Sequence, residues 1–288
     1  MKILEGIAGI ADDYDAYVLD LWGVVHDGRR PYPGVLDALA QLRQRGKRVV
    51  FLTNAPRRAW FIDGMLAKMG VTRDLYDATM SSGEVTWRVL KEGTHPFLSG
   101  LGRRAFHIGP ERDLSVIEDG VATLVATPGE ADLLLNTGPD PDRGPTSVEP
   151  YRAVLATCLA AGLPMICVNP DRAVMVAGER VLCAGAFADV YLQGGGRVLE
   201  LGKPDPEVYA PVFEALGNPP LGRVLAIGDT PHTDLAGAKA AGIDCLWAMT
   251  GLAGDQYGPN PDPAMLAREA AHHGVTPIAA VRSLVWAG

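Results

Sequence analysis

The chain alternates between short unbroken apolar runs and segments whose apolar residues recur three and four positions apart. Ala16–Leu21 reads as a buried strand that runs into a glycine turn, and Arg48–Thr53 as a second. Between them, Gly34–Arg45 carries Val35, Leu36, Leu39 and Leu42 at helical spacing. Arg57–Met69 predicts a helix stopped by Gly70, and Ser82 caps another through Glu92. Further on, Ala131–Asn136 and Met165–Asn169 read as strands, with a helix over Pro150–Ala161 between them. The last third repeats the theme: helix Glu207–Leu216, strand Arg223–Gly228, helix Asp234–Ala241, strand Asp244–Ala248. After Ala264 come one helical pattern and one apolar run. Pro and Gly mark loops at Asp140–Thr146, Gly194–Gly196 and Gly258–Pro263. Continuous apolar strands alternating with helices predict an α/β fold, a parallel sheet covered on both faces.

Composition narrows what such a fold can do. The 288 residues suffice for one large or two modest domains, and 48% hydrophobic with 21% charged residues is an ordinary globular mix. Thirty-four acidic residues against 26 basic ones give a net charge of −8, unsuited to nucleic acid or an anionic membrane. A phosphorylated ligand would therefore need a metal ion or placed cations. Cys158, Cys167, Cys183 and Cys245 have neither CxxC nor zinc spacing and read as free, buried thiols. The start, MKILEGIAGIADDYD, lacks a signal-peptide run, and no apolar stretch reaches about 18 residues. The expectation is a soluble cytoplasmic protein.

In a parallel α/β sheet, ligands bind beyond the carboxyl ends of the strands. The first strand runs into Asp20, then Leu21-Trp22-Gly23-Val24-Val25-His26-Asp27-Gly28, and the second ends in Thr53-Asn54. A loop before a helix carries Gly202-Lys203-Pro204-Asp205-Pro206, and a later strand ends in Gly228-Asp229-Thr230-Pro231-His232-Thr233-Asp234. Taken alone each cluster has a plainer use: a helix cap, a turn, a solvated lysine. Together they supply carboxylates, a hydroxyl and a lysine, which suits metal-assisted phosphoryl transfer with hard oxygens for Mg²⁺.

These four clusters resemble the four motifs of the haloacid dehalogenase-like (HAD) hydrolase superfamily, in its class IIA phosphatase-like branch. GKPDPEVY, GDTPHTDLAGAKAAG and CVNPD (Cys167–Asp171) carry the likeness, which extends over nearly the whole chain. The resemblance implies a doubly wound, Rossmann-like core with an inserted α/β cap domain. It implies that Asp20 is the nucleophile that becomes an aspartyl-phosphate, that Thr53, Asn54 and Lys203 bind the phosphoryl group, and that Mg²⁺ is the cofactor. The metal would be held by Asp20, the Trp22 backbone carbonyl and Asp229, with Asp234 supporting it. Asp20 and Thr53 are 33 residues apart, whereas Thr53 and Lys203 are 150 apart. That excess places the cap over residues 84–193, leaving 1–83 and 194–288 as the core.

One departure bears on activity. The family's general acid/base is an Asp two residues after the nucleophile, and here that position is Trp22. Indole cannot protonate a leaving alkoxide, and a positioned acid/base is worth about 10²–10⁴-fold. His26, Asp27 and His232 are candidate substitutes. The leading expectation is thus a Mg²⁺-dependent phosphohydrolase, slow toward poor leaving groups, acting on a small phosphorylated metabolite. Two rivals stand beside it: cleavage of a bond whose leaving group needs no proton, and a non-catalytic phosphometabolite-binding or sensor protein. A homodimer is left open.

Overall fold

The computed structural model describes residues 1–176 and 179–288. Its strands in chain order begin with β1 (Ile3–Leu4), β2 (Ala16–Leu19), β3 (Arg48–Thr53) and β4 (Ala78–Ser81). Next come β5 (Arg104–Ile108), β6 (Thr123–Leu124), β7 (Leu133–Asn136), β8 (Met165–Cys167), β9 (Ala173–Val176) and β10 (Glu179–Leu182). The last are β11 (Val198–Glu200), β12 (Val224–Gly228), β13 (Asp244–Ala248) and β14 (Ala279–Val281). They form a seven-stranded sheet in the order β1-β14-β13-β12-β2-β3-β4 and a five-stranded sheet in the order β11-β8-β7-β5-β6. Both are parallel throughout, and β9 and β10 pair antiparallel.

The all-apolar strands are explained by burial on both faces. Along β2, Tyr17 and Leu19 pack on one side with Val35, Leu39 and Leu42, while Ala16 and Val18 pack on the other with Val208, Val212 and Leu235. A strand of period two between two helical layers has no face left for water. The second sheet repeats this. Leu134 and Met165 meet Phe187 and Tyr191, while Leu133 and Leu135 meet Leu90 and Val116. β11 belongs to this sheet, although the sequence division at residue 193 groups it with the first.

Helix boundaries depart from expectation where proline or a side-chain bond intervenes. In the Val35–Gln44 helix the buried stripe is Val35, Ala38, Leu39 and Leu42, and Leu36 faces solvent. The stretch expected as one helix over Glu207–Leu216 is a 3₁₀ turn, Pro206–Tyr209, followed by a helix, Ala210–Ala215. Pro211 has no N–H to donate and fits only a first turn. The helix expected from Asp234 starts two residues later, at Ala236, after a wide turn over Pro231–Leu235. There the Asp234 carboxylate folds back onto the Thr230 N–H (3.1 Å).

The strand order locates the chemistry. From β2 the chain steps outward to β3 and β4, whereas β12 leads through β13 to β14 on the opposite side. The order reverses between β2 and β12, so the loops leaving their carboxyl ends diverge and open a crevice. Asp20 and Asp229 are the residues that follow these two strands.

Candidate active site

Asp20 is fixed at the end of β2 by its N–H, which donates to the Ile227 carbonyl of β12 (3.0 Å). Asp229 is held from two directions. The Leu252 N–H donates to its Oδ2 (2.7 Å), and the Trp247 indole N–H donates to its carbonyl oxygen (3.0 Å). Its carboxylate fits between Gly23 (φ +85°) and Gly251 (φ +56°), and a Cβ on either would run into it. These two glycines allow the close approach, and their backbone angles suit them to it. The Thr250 hydroxyl donates to the Gly23 carbonyl and closes the gap between the two loops.

Lys203 stands behind the two loops and is 4% exposed. Its ammonium donates to Asp20 Oδ1 (2.6 Å), Asp234 Oδ1 (2.6 Å) and the Leu52 carbonyl (2.9 Å), which uses all three protons. Asp234 spends its other oxygen on the Thr230 N–H (3.1 Å) and hydroxyl (2.7 Å). Asn54 anchors the lysine's loop. Its Oδ1 accepts from the Lys203 N–H (2.8 Å) and the Ser82 hydroxyl (3.2 Å), and its Nδ2 donates to the Lys203 carbonyl (3.1 Å) and Asp171 Oδ1 (2.9 Å). The Asn54 amide is thus spent on the protein, one layer behind the cavity. Thr53, at the end of β3, lines the cavity itself.

One ligand atom from each of Asp20, Asp229 and Asp234 falls within a 4.8 Å span. Three buried carboxylates face a single ammonium. Burial pushes Asp20 up to about 7, with Asp234 adding to the rise, although Lys203 opposes it. Burial also raises Asp229 far above the usual carboxylate range, helped by Asp234 and Asp20. For Lys203 the carboxylates win over burial, and its ammonium is held above its ordinary value. An excess of hard anionic oxygen that water cannot screen is a donor set for a divalent cation such as Mg²⁺.

These groups open into a cavity of about 350 Å³. Asp20, Trp22, Thr53, Lys203 and Asp229 line it, as do Asn169, Asp171, Val176, Val181 and Cys183. The Trp22 ring packs over Gly28 and meets His26 edge-on, with ring centroids 5.2 Å apart. His26 is buried and off the cavity. Its Nδ1 accepts from the Gly28 N–H (3.0 Å), and burial pushes its pKa down to about 4. It is a neutral brace for the loop. Asp27 Oδ1 accepts from the Arg29 and Arg30 N–H groups (2.8 and 2.9 Å) in a turn outside the cavity. His232 is exposed, its ring 6.2 Å from that of His273. None of the three candidate acid/base substitutes touches the cavity.

Sequence reasoning did not single out Gly23 and Gly251 as the clamps of Asp229, nor Asn54 as the anchor of Lys203. A glycine three residues after Asp20 was the available signal, but its partner is more than 200 residues away.

Comparisons with known proteins agree with this geometry. The family model described as haloacid dehalogenase-like hydrolase matches residues 17–120, and one described as HAD-hydrolase-like matches 200–273. A solved hydrolase of the haloacid dehalogenase-like family from Brucella suis 1330 is 33% identical. It superposes with a TM-score of 0.83 over 98% of this chain and 99% of its own. D-glycerol 3-phosphate phosphatase of Mycobacterium tuberculosis is 28% identical over 255 residues, 84% of this chain but 65% of that longer protein. The 4-nitrophenylphosphatase of Schizosaccharomyces pombe is 25% identical, covering 85% of this chain and 87% of its own. With four motifs at the switch point of a doubly wound sheet and a relative matched end to end, this chain belongs to the haloacid dehalogenase-like hydrolases, in their class IIA phosphatase-like branch.

Proposed function

We propose that the chain is a Mg²⁺-dependent phosphohydrolase that passes a small phosphorylated metabolite through an aspartyl-phosphate on Asp20. The observation that carries this reading is the Lys203 ammonium, 2.6 Å from both Asp20 and Asp234, at a cavity that Asp229 also lines. Lys203 holds Asp20 Oδ1, which leaves the second oxygen of that carboxylate to attack phosphorus. The Thr53 hydroxyl then faces the phosphoryl oxygens, the Lys203 ammonium beside Asp20 offsets their charge, and Asn54 keeps Lys203 in place. Asp20, Asp229 and the Trp22 carbonyl would hold Mg²⁺, with Asp234 behind them, and the ion would supply charge neutralisation for the phosphoryl group. The second sheet, over residues 84–193 and β11, serves as a cap that excludes water and reads the leaving group. The substrate is small because the cavity is, and a net charge of −8 disfavours a nucleic-acid ligand. Among the described residues no helix is long and apolar enough to cross a membrane, and the four cysteines are free and buried. The free thiols suit a reducing cytoplasm.

The apolar ring of Trp22 favours a second reading, a phosphometabolite sensor that binds without turnover. A panel of aryl and alkyl phosphate esters with Mg²⁺ separates the two. The hydrolase reading expects turnover with a covalent phospho-enzyme. Tight phosphate binding without either would replace it with the sensor.

A further inference from the structure

The hydrolase reading leaves one task unassigned. A proton must reach the leaving alkoxide, and another must leave the water that later attacks phosphorus. Trp22 can do neither, and His26, Asp27 and His232 stand outside the cavity. Of the other cavity carboxylates, Asp20 and Asp229 are committed to attack and to the metal. Asp113 is paired with Arg57 (2.7 Å) and Arg112 (3.8 Å).

Resting on that reading, we propose that Asp171 is the general acid and base of this enzyme. Asp171 lines the same cavity as Asp20, Thr53 and Lys203, but it comes from the loop after β8, in the second sheet. Its carboxyl is tethered to the first sheet through Asn54, whose Nδ2 donates both to Asp171 Oδ1 (2.9 Å) and to the Lys203 carbonyl (3.1 Å). One amide therefore ties this carboxyl to the residue whose ammonium binds the nucleophile. The loop is fixed from its own side as well. The Asp171 N–H donates to Asn169 Oδ1 (3.1 Å), and the Gly185 N–H donates to the Asp171 carbonyl (3.1 Å). Among the described residues, Asp171 Oδ2 has no hydrogen-bond partner, so one oxygen is held and the other is free to exchange a proton. Burial raises the carboxyl above its ordinary value, against the pull of Lys203 and Asn54.

Protons balance over the two steps. As the Asp20 oxygen bonds to phosphorus, the bond from phosphorus to the leaving oxygen breaks, and Asp171 gives that oxygen its proton. The alcohol departs and Asp171 is a carboxylate. Water then bonds to phosphorus, its proton passes to Asp171, and the bond between Asp20 and phosphorus breaks to release phosphate. Both carboxyl groups end as they began. The acid and the nucleophile thus come from loops of different sheets.

The test compares leaving groups in Asp171→Asn, with Mg²⁺ present. An alkoxide needs the acid and a nitrophenolate does not. The proposal expects alkyl-ester turnover to fall about 10²–10⁴-fold, while phosphorylation of the enzyme by p-nitrophenyl phosphate changes less than about threefold. Should Asp171→Asn fail to fold, Asp171→Ala is read by the same criterion. A loss in the p-nitrophenyl phosphate phosphorylation step as large as the loss in alkyl-ester turnover would make Asp171 a structural residue, and unchanged alkyl turnover would remove it from the reaction. Either result overturns the proposal and leaves the hydrolase reading standing. Wild-type enzyme with neither phospho-enzyme nor turnover would instead overturn that reading, and the proposal with it.

Discussion

The turn after β12 and the turn after β2 stand side by side and are built from opposite materials. After β12, the side chains of Thr230, Thr233 and Asp234 bond one another and Lys203. After β2, the chain leaves Asp20 and fills the next positions with Trp22, Val24, Val25 and a buried His26, whose side chains are held by ring packing and the bond from the Gly28 N–H to His26. The first turn is built from charged and hydroxyl side chains, the second from apolar and aromatic ones. On the proposed reading, the first would hold the counter-charges of a phosphoryl group and the second would supply no proton carrier, which would then come from the other sheet.

The comparison can be broken first at its polar side. Lys203→Met leaves Asp20 and Asp234 buried without their ammonium, so unfolding free energy should fall by about 3–5 kcal/mol. Phosphate affinity should vanish with it, as read by chemical denaturation and calorimetric titration. Retained affinity would reduce Lys203 to a scaffold. The apolar side is sharpened by restoring a carboxylate. In an Asp171→Asn background, Trp22→Asp should recover alkyl-ester turnover by up to about 10²-fold, whereas in wild type, with an acid already present, it should gain little. A large gain in wild type would mean that no acid operates there.

Smaller effects follow at the seams. Gly23→Ala forces a side chain into the Asp229 carboxylate at φ +85°. It should cost about 1–2 kcal/mol from the backbone alone and weaken Mg²⁺ binding, measurable by isothermal titration. His26→Gln should leave turnover within about threefold while changing the acid stability curve. The folded imidazole has its pKa near 4 and the unfolded one near 6.5. Between those values the unfolded chain takes up a proton that the folded one refuses, so wild type loses stability as pH falls through that window. The variant should lose less, which thermal melts from pH 7 to pH 4 would record.

Much of this was legible in the residues. Apolar runs such as Ala16–Leu19 and Val224–Gly228 named the central strands because burial on both faces leaves no polar position. The cluster of Asp20, Lys203, Asp229 and Asp234 was legible as chemistry at strand ends, and the switch point brings those residues together. What escaped depends on contacts between distant positions. β11 pairs with β8 because of how the sheets assemble, and nothing local marks Val198–Glu200 for one sheet over the other. Leu36 fits the apolar pattern of its helix yet points outward. Asn54 looks like a phosphoryl ligand beside Thr53, but its amide is consumed by Lys203, Ser82 and Asp171, two of them about 120–150 residues on.

The central claim is that Asp20 becomes covalently phosphorylated. Rapid acid quenching of the enzyme with Mg²⁺ and radiolabelled aryl phosphate, followed by peptide mapping, addresses it directly. The account predicts an acid-stable, hydroxylamine-labile phosphate on the peptide that carries Asp20, absent from Asp20→Asn. Phosphate release at a steady rate with no label on that peptide at any quench time would contradict it.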